Sequence, residues 1–143
     1  MSVMLGDMAV TAVVKYINSQ HIASATKSSA MSHCQCLVAY KYEKPEKTKG
    51  EYIAVNHLPF VHRYVVGEGV VNINIHVPKL KSGLPNTKRL AQLSETVVAL
   101  FPEGTYLDKA FYEFLSDSRP TPDSDDTYYV NIQLNVIFNN LNY

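Results

Sequence analysis

The sequence predicts an α+β fold, a single domain in which a mainly antiparallel β-sheet carries two helices packed on one face. Segments 70–78 and 127–139 alternate apolar and polar residues with a period of two, which is typical of half-buried strands. Segments 6–20 and 86–101 repeat apolar residues at helical spacing. The strand segments follow one another through short loops, which favours antiparallel pairing. The predicted order of elements is α-β-β-β-α-β-β.

The length and composition limit the class of protein. A chain of 143 residues with 46% hydrophobic residues can bury one core without metal or disulfide support, so residues 1–143 are predicted to form one domain. No apolar run approaches the roughly 20 residues that span a bilayer. The N-terminus lacks the basic region of a signal peptide. We therefore expect assembly in a cytoplasm and no membrane partner.

The first helix is predicted from Gly6 to Gln20. Asp7 suits its N-terminal end, where the helix dipole is positive. The apolar stripe consists of Leu5, Met8, Ala9, Ala12, Val13, Tyr16 and Ile17.

A long hairpin is predicted next, after a small and polar loop at 21–33. Residues 34–42 are rich enough in β-branched and aromatic side chains for a strand. Residues 43–50 contain Pro and Gly and predict an exposed, lysine-rich turn. The returning strand then ends at Pro59.

The remaining predicted strands lie before and after the second helix in the sequence. Gly67 and Gly69 predict a tight turn or bulge before strand 70–78. Residues 109–117 are predicted to form a strand and residues 118–126 an acidic loop before the last strand.

The second helix is predicted to begin at Asn86 or Thr87, because either side chain can accept from the free amides of the first turn. Pro102 and Gly104 are expected to end it. Its apolar stripe consists of Leu90, Leu93, Val97, Leu100 and Phe101. The predicted core combines Leu5, Met8, Ala12, Tyr16, Val71, Ile73, Ile75, Leu90, Leu93, Val97, Leu100, Val130, Ile132, Leu134 and Val136.

The polar faces of the two best strands carry amides instead of charges. A buried amide costs far less free energy than a buried charge, and it can hydrogen-bond to another amide. One interpretation is that another subunit covers this face, and the alternative is an exposed face that is rich in amides. The residues concerned are Asn72, Asn74, Asn131, Gln133 and Asn135.

Charges are segregated along a chain of zero net charge. Residues 41–90 hold nine basic and four acidic side chains, and residues 101–126 hold two basic and seven acidic ones. Opposite charges on two separate surfaces would orient copies of the protein as they associate. The alternative is two ordinary solvated loops. The residues expected at such contacts are Lys44, Lys47, Lys49, Asp123, Asp125 and Asp126.

The cluster His33, Cys34 and Cys36 is the strongest candidate for chemistry. A zinc site usually needs four ligands in two pairs, and no second cysteine pair exists. The two cysteines share a strand face, which suits small core side chains. We predict no enzyme, no metal and no cofactor. The alternative is a small thiol- or metal-dependent enzyme that uses these three residues.

A nucleic-acid-binding module is a further alternative. The ten tyrosines could stack on bases. Such platforms need basic side chains between the rings, whereas the tyrosines here have mostly uncharged neighbours, and the zero net charge also disfavours DNA binding.

Four stretches together resemble the tail-terminator or head–tail joining proteins of long-tailed bacteriophages. They are EYIAVNHLP, VVNINIHVP, GLPNTKRLAQLSETV and YYVNIQLNVIF, and the resemblance covers roughly residues 50–140. It implies a small α/β protomer that closes into a ring, commonly a hexamer. The ring would cap the tail tube, stop its polymerisation and present a docking surface for the head.

The resemblance also implies partners and a location. The partners would be other copies of the chain, the tail tube protein and the neck or connector proteins, with DNA only passing through the ring lumen. The mature location would be the virion. With this resemblance, burial of the amide face between subunits is the favoured interpretation.

Overall fold

The computed structural model describes residues 4–24, 36–46, 48, 50–62, 66–102, 104–124 and 126–139. It confirms the predicted α+β class, with two helices and one mainly antiparallel sheet in these ranges. The helices are α1 (Leu5–Ser19) and α2 (Thr87–Val98). The strands are β1 (Ala39–Lys41), β2 (Tyr52–His57), β3 (Val61–His62), β4 (Val66–Pro78), β5 (Thr105–Leu107), β6 (Ala110–Asp117), β7 (Thr121–Pro122) and β8 (Thr127–Asn139).

The sheet is organised around its two longest strands. The strand order is β1-β2-β4-β8-β6-β5, with β3 paired to β4 and β7 paired to β8. The central strands β4 and β8 are antiparallel in continuous register, from Val66 opposite Asn139 to Pro78 opposite Thr127. The last strand has the bounds that the alternating pattern predicts. The short strands β3, β5 and β7 were not predicted, because two or three residues are too few to show a period.

The predicted hairpin over residues 34–57 is wrong. Strand β1 is shorter than predicted and runs parallel to β2, with Ala39 opposite Ile53 and Lys41 opposite Val55. At the end of β1 the backbone of Tyr42 adopts a φ of 64°, and its N–H donates to Val55 O at 2.8 Å. Because β1 and β2 are parallel, the chain has to return along the sheet after β1 before it enters β2. Part of the connection, residues 47 and 49, lies outside the described residues.

The predicted turn or bulge at Gly67 and Gly69 is also wrong. Both glycines lie within β4, in continuous register with β8. A Cβ atom on Gly69 would lie 2.4 Å from the Phe60 ring, so glycine leaves room for that ring against the strand. A register shift occurs instead in β6, between Phe114 and Ser116.

The second helix begins where the sequence predicts. The side chain of Asn86 caps α2 by accepting from the N–H of Arg89 at 3.2 Å. The helix ends at Val98, before the predicted stop signals, and Phe101 is buried just beyond it.

The core lies between the sheet and both helices, which pack on the same face. Twelve of the fifteen predicted core residues are buried there. Met8, Tyr16 and Leu100 are only partly buried and pack against the edge of the same cluster. Neither described helix is long and apolar enough to cross a membrane.

Candidate functional site

The sheet face that points away from the helices, called the open face below, carries all five predicted amides. Strand pairing sets them side by side across the sheet. Asn72 lies opposite Gln133 on β8 and Asn56 on β2, and Asn74 lies opposite Asn131. The two central strands therefore bring amides that are about 60 positions apart in sequence into direct contact.

The amides form a hydrogen-bonded network within one chain. Asn72 donates from Nδ2 to Oδ1 of Asn56 at 2.9 Å. Its Oδ1 accepts from Nδ2 of Asn131 at 3.2 Å and from Nε2 of Gln133 at 3.1 Å. Asn131 also donates to Oδ1 of Asn74 at 2.8 Å. Because every amide has both a donor and an acceptor, it can link neighbours on both sides, which a row of like charges cannot do.

The network continues to β6 at its margin. Ser116 donates from Oγ to Oε1 of Gln133 at 3.1 Å, and Asn135 donates to Oε1 of Glu113 at 3.2 Å. The amides are only partly exposed, and Asn72 is 8% exposed. Hydrogen bonding across strands is therefore one physical reason for amides at these positions.

A polar pocket opens at one end of the open face, where β4 ends and β8 begins. Its cavity has a volume of about 540 Å³. The sheet supplies the floor, and the loops at 42–44 and 123–124 supply the walls. The lining residues are Tyr42, Glu43, Lys44, Tyr52, Ala54, Asn74, His76, Asp123, Ser124 and Tyr129.

His76 is the centre of the pocket floor. Its ring stacks between Tyr52, with centroids 4.3 Å apart, and Tyr129, with centroids 5.1 Å apart. Both tyrosines lie directly opposite His76 in the sheet register. Its Nδ1 lies 3.0 Å from Oγ1 of Thr127 and 3.5 Å from Oδ2 of Asp123. The Asp123 contact joins the acidic loop to the floor of the pocket.

Lys44 occupies the opposite wall. Its Nζ lies 5.5 Å from the centroid of the Tyr52 ring and donates to the backbone O of Thr48 at 3.2 Å. The structure therefore places Lys44 and Asp123 in the walls of one pocket, and not on two separate surfaces as the sequence suggested.

The other charged candidates do not join this pocket. Asp126 pairs instead with Lys79, at 3.1 Å between Oδ1 and Nζ. Lys47, Lys49 and Asp125 lie outside the described residues.

The wall at Tyr42 is tied to the first helix. Tyr42 donates from Oη to Oδ1 of Asp7 at 2.8 Å, and Nζ of Lys41 lies 3.1 Å from the same oxygen. The hydrogen bonds from Tyr42 and Lys41 hold the pKa of the Asp7 carboxyl below its usual value. Partial burial, together with the bond to Asp7, raises the pKa of Tyr42 to about 12.

A second polar cluster, on the helix side of the sheet, was missed by sequence reasoning. Arg89 makes a two-pronged contact with Glu51, from Nε to Oε2 at 2.7 Å and from Nη2 to Oε1 at 3.0 Å. Nη2 also donates to the backbone O of Ala23 at 2.9 Å. Glu51 is 9% exposed, so these contacts form an internal connection between α2, the residue that precedes β2 and the segment that follows α1. No local pattern predicts it, since the two charges are 38 residues apart.

The candidate cysteine cluster is described only in part. His33 and Cys34 lie outside the described residues. Cys36 is exposed, so its interpretation as a core side chain is wrong, and its Sγ lies 3.9 Å from Nδ1 of His21. The reason is that residue 36 precedes β1 and forms only an isolated bridge with Ala23. Among the described residues, no group of three or more His, Cys, Asp or Glu side chains is placed to hold a metal ion.

Apolar side chains occupy the other end of the open face. Tyr106, Phe111 and Ile137 form one row across β5, β6 and β8, and the row ends at Glu68 on β4. The Tyr106 and Phe111 rings are 5.0 Å apart, and Tyr106 is 77% exposed. The open face thus runs from an apolar row, through the amides, to the polar pocket.

Comparison with known proteins supports the fold only. No family model matches the chain, and no curated protein matches it. A solved structure that is 18% identical aligns over 95% of this chain and 96% of that chain, with a TM-score of 0.58. The name of that protein states no activity, ligand or partner. The likeness shows that the α+β arrangement recurs in another protein of similar length.

Proposed function

We propose that this chain is a structural protein of a long-tailed bacteriophage that forms a ring, taken to be a hexamer, at the end of the tail tube or at the neck. The ring terminates tail assembly and joins the tail to the head. Its partners are other copies of the chain, the tail tube protein and the neck or connector proteins, and DNA passes through its lumen. It is assembled in the host cytoplasm and resides in the virion. The proposal draws on the resemblance of four sequence stretches to this class of protein.

The observation that carries the proposal is the character of the open face. Four of the five amides there are already linked to one another, and none of them carries a formal charge, so covering these four with a second protein involves little charge desolvation. The exposed Tyr106 adds apolar area on the same face, and tyrosine is enriched at protein interfaces. A sheet face with uncharged amides at its centre and apolar side chains at one end is well suited to contact between subunits.

The mass of the protein in solution tests the proposal. Light scattering over a range of concentrations is expected to show association towards six copies, and electron microscopy is expected to show rings. Added to the tube protein of the same phage, the chain should shorten the tubes. A protein that stays monomeric at every concentration and leaves tube length unchanged would contradict the proposal.

A pair of matched variants tests the face itself. Tyr106→Glu adds one negative charge to the exposed apolar row, and Ala91→Glu adds the same charge to an exposed position of α2 on the opposite side of the sheet. We expect the first to weaken association by about tenfold or more and the second by less than about twofold, since a charge desolvated at an interface costs several times more than one left in water. Unchanged circular dichroism in both variants separates association from folding. Equal effects of the two would contradict use of the open face.

A further inference from the structure

We infer that the polar pocket on the open face is a socket for a positively charged side chain, an arginine or a lysine, of a partner polypeptide. That the partner is a neighbouring protein in an assembly rests on the proposed function. The chemistry of the socket rests on the residues that line it. Neither the resemblance nor the comparisons assign any role to this pocket.

The charge of the lining favours a cation. Glu43 and Asp123 contribute two carboxylates to the walls, and Lys44 contributes one ammonium. Lys44 is already held inside the chain, because it donates to the backbone O of Thr48. Among the described residues of the lining, the two carboxylates and the one ammonium sum to a formal charge of −1, and a positively charged occupant would balance it.

The aromatic side chains favour the same occupant. The faces of aromatic rings attract cations, and the pocket is lined by Tyr42, Tyr52 and Tyr129. The structure holds one example of this attraction, because the ammonium of Lys44 lies 5.5 Å from the centroid of the Tyr52 ring. A guanidinium can combine both attractions, since its flat face stacks on rings while its N–H groups donate to carboxylates.

The size of the pocket suits a side chain with flanking backbone. Its volume of about 540 Å³ falls within the usual range of roughly 300–1,000 Å³ for ligand pockets. The pocket continues the amide rows, with Asn74 shared by both. A polypeptide lying along the open face would therefore meet hydrogen-bonding amides first and the socket at their end.

The test uses short peptides with blocked ends and the full chain. The probes are acetyl-Gly-Arg-Gly-amide, its Gln counterpart and its Glu counterpart, and the readout is the NMR shift of the His76 and Tyr129 ring signals. We expect the Arg peptide to shift these signals in a saturable way, the Gln peptide to act at least about fivefold more weakly, and the Glu peptide to have no effect.

Matched variants locate the binding. Asp123→Asn removes a carboxylate from the pocket, whereas Asp126→Asn makes the same change three residues later, at a side chain that is 84% exposed and paired with Lys79. The first should weaken binding of the Arg peptide by about fivefold or more, and the second by less than about twofold. Because Asp123 also contacts His76, Glu43→Gln serves as a second test, since Glu43 is an exposed wall residue. It should weaken binding as well.

Several results would overturn the inference. These are a Gln peptide that binds as well as the Arg peptide, ring signals that do not move, or an Asp126→Asn effect that equals the Asp123→Asn effect. The mass measurement is independent of these readouts. Peptide binding by a chain that never associates would leave the socket standing and remove the proposed ring, and association without peptide binding would do the reverse.

Discussion

The side chain of Asn131 donates to Oδ1 of Asn74 at 2.8 Å across the junction between the two central strands. The two residues are directly opposite each other in the sheet register. This bond and its neighbours explain how these amide positions can be polar, partly buried and uncharged at the same time. Because each amide makes its own set of hydrogen bonds, single substitutions can measure its contribution to stability.

Asn72 should contribute more to stability than the other amides. Its Oδ1 accepts from Asn131 and Gln133, and its Nδ2 donates to Asn56. Asn72→Ala should lower the free energy of unfolding by about 1–3 kcal/mol in urea titrations, because it removes three hydrogen bonds from a nearly buried site. Asn135→Ala, which removes one exposed bond to Glu113, is the control and should cost less than about 1 kcal/mol. An equal cost at both positions would contradict the larger contribution expected of Asn72.

Removing the Arg89 guanidinium should be strongly destabilising, because the Glu51 carboxylate with which it pairs is buried. Arg89→Met deprives Glu51, whose side chain is 3% exposed, of its guanidinium partner. The free energy of unfolding should fall by about 3 kcal/mol or more, the usual result of breaking a buried ion pair. Lys88→Met, at the exposed neighbouring position, should change it by less than about 0.5 kcal/mol. A small effect at Arg89 would contradict the importance assigned to this ion pair.

Truncating a core side chain should lower the free energy of unfolding both in the helix layer and in the sheet layer. Leu93→Ala on α2 and Ile132→Ala on β8 should each cost about 2–5 kcal/mol, because both side chains are at most 2% exposed. Leu84→Ala is the control, since Leu84 is 62% exposed and should cost less than about 0.5 kcal/mol. The measurement is equilibrium unfolding in guanidinium, followed by circular dichroism.

The contact between Asp7 and Tyr42 should be intact over a wide range of pH. The pKa of Asp7 is lowered in the folded chain, so its contribution is present above its unfolded value of about 3.9 and is lost as pH falls through the folded value. The pKa of Tyr42 is raised to about 12, so its contribution is present below its unfolded value of about 10 and is lost as pH rises through 12.

NMR titration of the tyrosine ring carbons checks the pair. One tyrosine, assigned as Tyr42, should titrate near 12, and Asp7→Asn should lower its pKa because the carboxylate that accepts its proton is gone. Lys15→Gln changes an exposed charge elsewhere on α1 and should leave the value in place. A Tyr42 titration that is insensitive to Asp7→Asn would contradict the contact.

Much of the architecture is readable from the sequence because it depends on local periodicity. Thirteen alternating residues define β8 from Thr127 to Asn139, and the cap at Asn86 defines the start of α2. Periodicity also identifies which side of each element faces the core, which is why twelve of the fifteen predicted core residues are buried. The amides of the open face were identified on the same basis.

Periodicity does not specify which strands pair or in which direction they run. The direction of β1 against β2 depends on how residues 42–51 return, and a strand pattern reads the same in either direction. Cys36 was assigned to a core strand that begins only at Ala39.

The sequence by itself therefore determined the fold class, the core faces and the row of uncharged amides on the two central strands. Only the tertiary structure decided that Glu51 meets Arg89, and that the loops bearing Lys44 and Asp123 meet around His76. The physical reason is the separation of the residues along the sequence. The side of a helix or strand that faces the core is set by neighbours two to four residues away. These contacts instead join residues tens of positions apart, and whether such residues meet depends on the packing of the whole sheet.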